Sequence, residues 1–326
     1  MIHDDLLRVL QPDACPRSAA KSPQRRGIAI ACRLEGIMCR VFGAVASDPI
    51  SVRHELVESS NPIIRLSEDH DSGWGMAAYR EIGQAAPVTE RFAFAAHEDS
   101  RFLPATQLRG RIFNVHVRRA TLGGLSAKNT HPFEYGPYTF AHNGTILDYR
   151  GLLRSGMAEP RGETDSECFF MRLMNEFDPE EPVRSIRGVV ATIVAGHTFS
   201  GLNFVFSDGI KLYAYRLGIF DLFWATRRGV SLVASEQLTD EDWHRAQQDV
   251  LLTLDPEFPE EVHAERLIGD MLLETADIKR LEPDVSMKGT ERGEWATRYA
   301  TEVAGRAFLP VQNGTGTVDH RSSLPA

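Results

Sequence analysis

The sequence predicts an α+β fold built in stacked layers. Short apolar stretches with a strand-like period of two recur from residue 40 onward. Few helical segments lie between them as crossovers, so a parallel sheet wound by helices is not expected. One strand also opens directly on a cysteine, Cys39, as a catalytic strand would.

The elements follow in order. Residues 1–38 differ from the rest, with six basic and four acidic residues and no sustained period. "RRGIAIAC" resembles a twin-arginine export signal, but Arg33 and Glu35 break the apolar run after it. The segment reads as a leader: a propeptide, or an upstream start with translation beginning at Met38. "MCRVFGAVA" reads as a strand, "SVRHELVESS" as a helix and "SGWGMAAYR" as a strand. In "GRIFNVHVRRA", Ile112, Asn114 and His116 alternate with Phe113, Val115 and Val117. "YTFAHNGTI" is a strand ending in an Asn-Gly turn. "TDSECFFMRLMNEF" is a helix capped by Thr164, with Glu167 three residues on and an apolar stripe of Phe169, Leu173, Met174 and Phe177.

Five strands are expected next: "VVATIVAG", "GLNFVFSDG", "IKLYAYRL", "LFWATRRG" and "VSLVASE", with a hairpin at Asp208-Gly209. "EEVHAERLIGDMLLETADIKRL" reads as an amphipathic helix. The chain turns polar near 283 and ends in a loose tail. The expected organisation is a leader over 1–38, one domain over 39–282 and an extension over 283–326.

Composition excludes several functions. The net charge is −9 and no basic run exceeds a pair, which argues against nucleic-acid binding. No apolar run reaches the roughly 18 residues of a membrane span. The four cysteines form no C-x-x-C pair, so neither a metal site nor a disulfide framework is expected, and the cytoplasm is the expected compartment. No dinucleotide or phosphate-loop fingerprint appears.

Four polar stretches could carry chemistry. Cys39 is either a nucleophile or a small buried hydrophobe. As the first residue of a processed chain it would carry its own base, an α-amino group of pKa about 8. Arg118, Arg119 and Thr121 follow a strand and suit a carboxylate, or a surface ion pair. Asn143-Gly144 can form an oxyanion hole or a simple turn. Asp165 can hold an ammonium group or cap a helix. His131 and His142 are general-base candidates or structural histidines.

In their order and spacing, "MCRVFG", "SGWGMAAY", "HVRRATLGG", "NTHPF", "AHNGTI" and "TDSE" resemble the class II glutamine amidotransferases, which are N-terminal-nucleophile hydrolases. "LNFVFSDGIKLYAYR" and "ASEQLTDEDW" are similar to the compact branch without a fused synthase. That branch includes the hydrolase of ergothioneine synthesis and a fungal glutathione-degrading subunit. The likeness covers about residues 39–258 and implies a four-layer αββα sandwich. It implies that Cys39 attacks the side-chain amide of glutamine, or of a γ-glutamyl compound, through a thioester. Asn143 and the Gly144 N–H would hold the oxyanion. Arg118, with Thr121, would bind the substrate carboxylate. Asp165, helped by the Gly144 carbonyl, would bind its ammonium, and His131 would shape the pocket wall. No cofactor is implied.

Three positions depart from the pattern. Arg119 stands where relatives with a sugar-phosphate synthase carry Trp, and Leu122 where they carry His. Ser72 stands where the compact branch has Asp. The enzyme would pass ammonia to a separate synthase subunit or hydrolyse its substrate alone. The contrasting expectation is a non-catalytic binding protein that retains the fold because the leader stays attached.

Overall fold

The computed structural model describes residues 39–269. In chain order, β1 (Arg40–Ile50) leads to a π-helical turn (His54–Glu58), α1 (Ile63–Leu66), β2 (Gly73–Tyr79), β3 (Val88–Phe92), α2 (Phe102–Ala105) and β4 (Gly110–Arg118). Next come β5 (Phe133–Tyr135), β6 (Tyr138–Asn143), α3 (Asp165–Glu176) and α4 (Pro182–Gly196). The last strands are β7 (Asn203–Ser207), β8 (Leu212–Arg216), β9 (Phe223–Arg227), β10 (Val230–Ala234), β11 (His244–Arg245), β12 (Val250–Leu254) and β13 (His263–Arg266).

The strands form two antiparallel sheets. The first runs β11-β9-β10-β1-β4-β2-β3 and the second β13-β12-β8-β7-β6-β5. The period of two decides what each face meets. On β4, Phe113, Val115 and Val117 join Phe42, Ala44 and Trp74 in an outer core. Ile112 on the opposite face packs between the sheets with Val41, Val45, Val205 and Leu212. Asn114 shares that inner face and donates from Nδ2 to the Val205 carbonyl at 3.0 Å, tying one sheet to the other.

Helices cover both outsides. The α3 and α4 pair buries Phe169, Phe170, Leu173, Ile186, Val189, Val190 and Ile193 against Phe140, Phe204 and Tyr215 of the second sheet. Full burial of one such side chain is worth about 1.5–3 kcal/mol. Over the first sheet the helical layer is thin. It consists of the π turn, α1 and α2, which supply Leu56, Ile63 and Phe102. This is the αββα sandwich that the resemblance implied.

Three expectations need correction. "VVATIVAG", expected as a strand, is the second half of α4. Its buried residues Ile186, Val189, Val190 and Ile193 follow a helical stripe, and Pro182 starts the helix in its first turn. Packing on the second sheet overrides the β preference of the valines. "SVRHELVESS" holds only a five-residue π-helical turn. Within "EEVHAERLIGDMLLETADIKRL", His263–Arg266 is a strand paired with β12; residues 270–281, like the leader and the tail, lie outside the described residues. The Asp208-Gly209 hairpin joins β7 to β8 as expected, with Gly209 at φ +82° and the Asp208 carboxylate accepting from the Ile210 and Lys211 N–H groups.

Gly43 on β1 sits where neighbouring side chains leave no room for a Cβ. A Cβ there would sit 2.6 Å from Leu212 Cδ2 and 2.9 Å from Val233 Cγ2. Gly43→Val is therefore expected to destabilise the fold by about 1–3 kcal/mol through overpacking. An unchanged urea midpoint in that variant would show that the interface between the sheets is looser than described.

Candidate active site

The site gathers at one end of the sandwich, where β1 begins and β4 and β6 end. β1 pairs with β4 in the register Arg40↔Val117, which sets Cys39 beside Arg118 and Arg119. The Cys39 sulfur lies 3.4 Å from both the N–H and the carbonyl oxygen of Arg119. Burial pushes the thiol above its ordinary pKa. The Arg119 N–H and the Arg118 and Arg40 guanidiniums counter this in part, and Asp165 adds to it. The thiol is therefore not spontaneously ionised and needs a base.

Arg118 is buried at the end of β4. Its guanidinium donates to the carbonyls of Gly124 (3.2 Å), Leu122 (2.8 Å) and Gly123 (3.3 Å). Those bonds fix both the arginine and the loop that follows it. Burial lowers its pKa, while Cys39 and Asp165 act in the opposite direction, so the three groups share one electrostatic neighbourhood.

The turn after β6 brings in the other groups. Ile146 N–H donates to Asp165 Oδ2 at 2.8 Å, and the Thr121 and Thr145 hydroxyls lie 3.4 Å apart. Residues 143–146 thus join the strap after β4 to the start of α3. The Asn143 side chain is buried, and its Nδ2 has no hydrogen-bond partner among the described residues. Gly144 must be glycine, because a Cβ would run into the Gly201 carbonyl oxygen. That oxygen also accepts from His142 Nε2 at 3.1 Å. Since a carbonyl only accepts, Nε2 carries the proton and Nδ1 accepts from the Ser166 hydroxyl at 2.9 Å.

Asp165 opens α3, but the cap is Thr164, whose hydroxyl accepts from the Glu167 N–H at 3.2 Å. The Asp165 carboxylate instead accepts from the Ile146 N–H and lies in the electrostatic neighbourhood of Arg118 and Cys39. Glu167 does not close a capping box; its oxygens accept from the Arg161 N–H (2.8 Å) and the Gly162 N–H (2.6 Å) and hold the preceding loop.

The two candidate general bases are better read as structure. Burial brings the His142 pKa down to about 4, against the Gly201 hydrogen bond, and both its nitrogens are engaged. His131 is buried with its ring 4.2 Å from that of His116, and burial holds both far below the usual imidazole range. Among the described residues neither hydrogen-bonds the Cys39 sulfur. His116 received no role from the sequence because an alternating strand gives no sign of the His131 ring packed against it. Ser166 and Gly201 were missed for a similar reason: their importance lies in touching His142 and Gly144. At the departing positions, Arg119 Nη1 donates to the Asp69 carbonyl at 2.9 Å and the Ser72 N–H to the Arg118 carbonyl at 3.0 Å.

A family model described as glutamine amidotransferases class-II matches residues 38–229. The chain belongs to this family. It is accordingly an enzyme of glutamine amide hydrolysis or transfer. The amidotransferase is 27% identical over 287 residues to MJ1515, an uncharacterised protein of Methanocaldococcus jannaschii, across 77% of this chain and 78% of that one. It is 28% identical to YafJ of Escherichia coli, which carries a provisional glutamine amidotransferase name, over 63% of this chain and 82% of YafJ. DUG3 of Saccharomyces cerevisiae, named a probable glutamine amidotransferase, is 28% identical over 43% of this chain and 46% of DUG3. In fold it resembles a class-II domain protein of Silicibacter pomeroyi (TM-score 0.52, 20% identity, 71% of this chain, all of that one). It also resembles the glutamine phosphoribosylpyrophosphate amidotransferase of Bacillus subtilis (TM-score 0.55, 15% identity, 71% of this chain, 50% of that one). Among the described residues no helix is long and apolar enough to cross a membrane, and no cluster of three or more His, Cys, Asp or Glu could hold a metal ion.

Burial raises the Asp165 pKa to about 6, although the N–H groups of Ile146, Ser166 and Asp165 itself and the Arg118 guanidinium all favour the carboxylate. A carboxyl group whose folded pKa is raised stabilises the fold below its unfolded value, near 4, and loses that contribution as pH rises through about 6. At neutral pH the ionised group therefore costs stability. Asp165→Asn is expected to gain roughly 1–3 kcal/mol at pH 7.5 and almost nothing at pH 4. Thermal unfolding at the two pH values checks this, and equal gaps at both would refute it.

Proposed function

We propose that this amidotransferase cleaves the side-chain amide of glutamine, or of a γ-glutamyl compound, through a thioester on Cys39. The observation that carries this reading is the buried Nδ2 of Asn143, a hydrogen-bond donor with no partner among the described residues to offset its desolvation. An oxyanion that forms only during reaction would supply the missing acceptor.

The steps follow from the groups around it. With Cys39 as the first residue, its α-amino group takes the thiol proton, directly or through a water, and the sulfur attacks the amide carbon. Asn143 Nδ2–H and the Gly144 N–H hold the negative oxygen of the tetrahedral adduct. The adduct collapses as the carbon–nitrogen bond breaks, and the leaving nitrogen takes the proton from the ammonium group and departs as ammonia or an amine. Water, giving a proton to the same amine, then attacks the thioester. Its carbon–sulfur bond breaks, glutamate leaves and the thiol is restored. Arg118 and Thr121 would bind the substrate carboxylate and Asp165 its ammonium, while His131 would shape the pocket wall. A free amine is essential here, because burial raises the thiol pKa and no described imidazole reaches the sulfur.

Cys39→Ala is expected to abolish glutaminase turnover, and Asn143→Ala to lower kcat by about 10²–10³. The intact mass of active protein must correspond to a chain beginning at Cys39; full activity in a chain that still begins at Met1 would refute the free-amine base. Asp165 must be ionised to pair with an ammonium. The kcat/KM for glutamine should therefore fall as pH drops through about 6, with that limb missing in Asp165→Ala. Turnover of glutamine, glutathione and other γ-glutamyl compounds without any partner would identify a self-sufficient hydrolase.

A further inference from the structure

We propose that the cleft between the free edges of the two sheets is a second binding site, for a small zwitterion of amino-acid or dipeptide size. β3 is the outermost strand of the first sheet and β5 of the second, and a cavity of about 610 Å³ opens beside them. Cys39, Arg118, Asn143 and Asp165 do not line it, so it is separate from the active site. Phe92, Phe133 and Met171 give it an apolar floor.

Its charges are not matched to one another. Arg91 on β3 is half-buried, yet among the described residues its guanidinium makes neither a hydrogen bond nor an ion pair. Burial works against its charge, and Arg161 lies close enough to repel it; Glu134 on β5 and Glu167 favour the charge from beyond ion-pair distance. The Arg161 guanidinium is also unpaired among the described residues. Glu167 forms no ion pair with either arginine among the described residues; its two oxygens accept from the backbone N–H groups of Arg161 and Gly162. The Thr89 hydroxyl in the same wall is buried with no partner among the described residues.

Two neighbouring arginines with unused donors form a carboxylate fork. A simple anion is nevertheless a poor match, since the wall carries three basic residues (Arg91, Lys128, Arg161) against four acidic ones (Glu90, Glu134, Glu159, Glu167). A ligand with separated charges satisfies both signs. Its carboxylate would lie between Arg91 and Arg161, its ammonium toward Glu134, and its apolar part on the phenylalanines. The cavity volume falls within the roughly 300–1,000 Å³ of small-molecule sites.

The site can be tested apart from catalysis. The full-length Asp165→Ala variant, whose catalytic ammonium site is disabled, is titrated with isotopically labelled L-glutamine, L-glutamate and glycylglycine by NMR. At least one should bind saturably. Arg91→Gln or the exposed Arg161→Gln, each added to that variant, should weaken binding about tenfold or more, as expected for losing a charged hydrogen bond. Succinate, inorganic phosphate and putrescine should compete poorly. The proposal is overturned by no saturable binding at millimolar concentration, by unchanged affinity in both arginine variants, or by succinate or phosphate binding as well as the zwitterions. Because Arg161 is exposed, its substitution leaves the core untouched and keeps the test valid if Arg91→Gln fails to fold.

Discussion

The antiparallel pairing of β1 with β4 is the constraint on which the site depends. Arg40 opposite Val117 brings the cysteine before β1 against the two arginines that end β4. A slip of one residue would turn every side chain of β1 to the other face. Val41 and Val45 would then leave the space between the sheets and Phe42 would enter it. The hydrophobic pattern fixes the register, and the register in turn fixes where the sulfur sits. Core packing and chemistry thus share one cause.

The second sheet brings its part of the site to the same end through close backbone contact. Gly144 lies against Gly201 with no room for a side chain, and the neutral His142 anchors the Gly201 carbonyl. The fold bears local costs here. Asn143 Nδ2 has no partner among the described residues, and burial raises the Asp165 pKa to about 6. Such groups weaken the free protein and are compensated when a charge arrives that pairs with them. They cluster on the short turn 143–146 and the first residue of α3, not in the strands that carry the sandwich.

Much of the fold could be read locally. The alternation in residues 110–118, the Asp208-Gly209 hairpin and the Thr164 cap all depend on contacts a few residues apart, and all appear where the sequence put them. "VVATIVAG" was misread because a β-branched run has the same composition in a strand and on a buried helix face. Only the stripe from Ile186 to Ile193, and a sheet to receive it, separates the two. His263–Arg266 is a strand because β12 offers it an edge, a partner its own residues do not specify.

By itself the sequence determined the chemical types of the site and their order along the chain: a cysteine at a strand start, arginines at a strand end, an Asn-Gly turn and an aspartate at a helix start. Each follows from short-range propensity and period, and each had a plain structural alternative. Only the tertiary structure shows what each of these groups touches. It gave the cap to Thr164, set the Asp165 carboxylate against the Ile146 N–H, left Asn143 Nδ2 without a partner among the described residues, and engaged His142 in holding the backbone. Burial and long-range pairing set these outcomes, because desolvation depends on what the rest of the chain packs around a group and not on its neighbours in sequence.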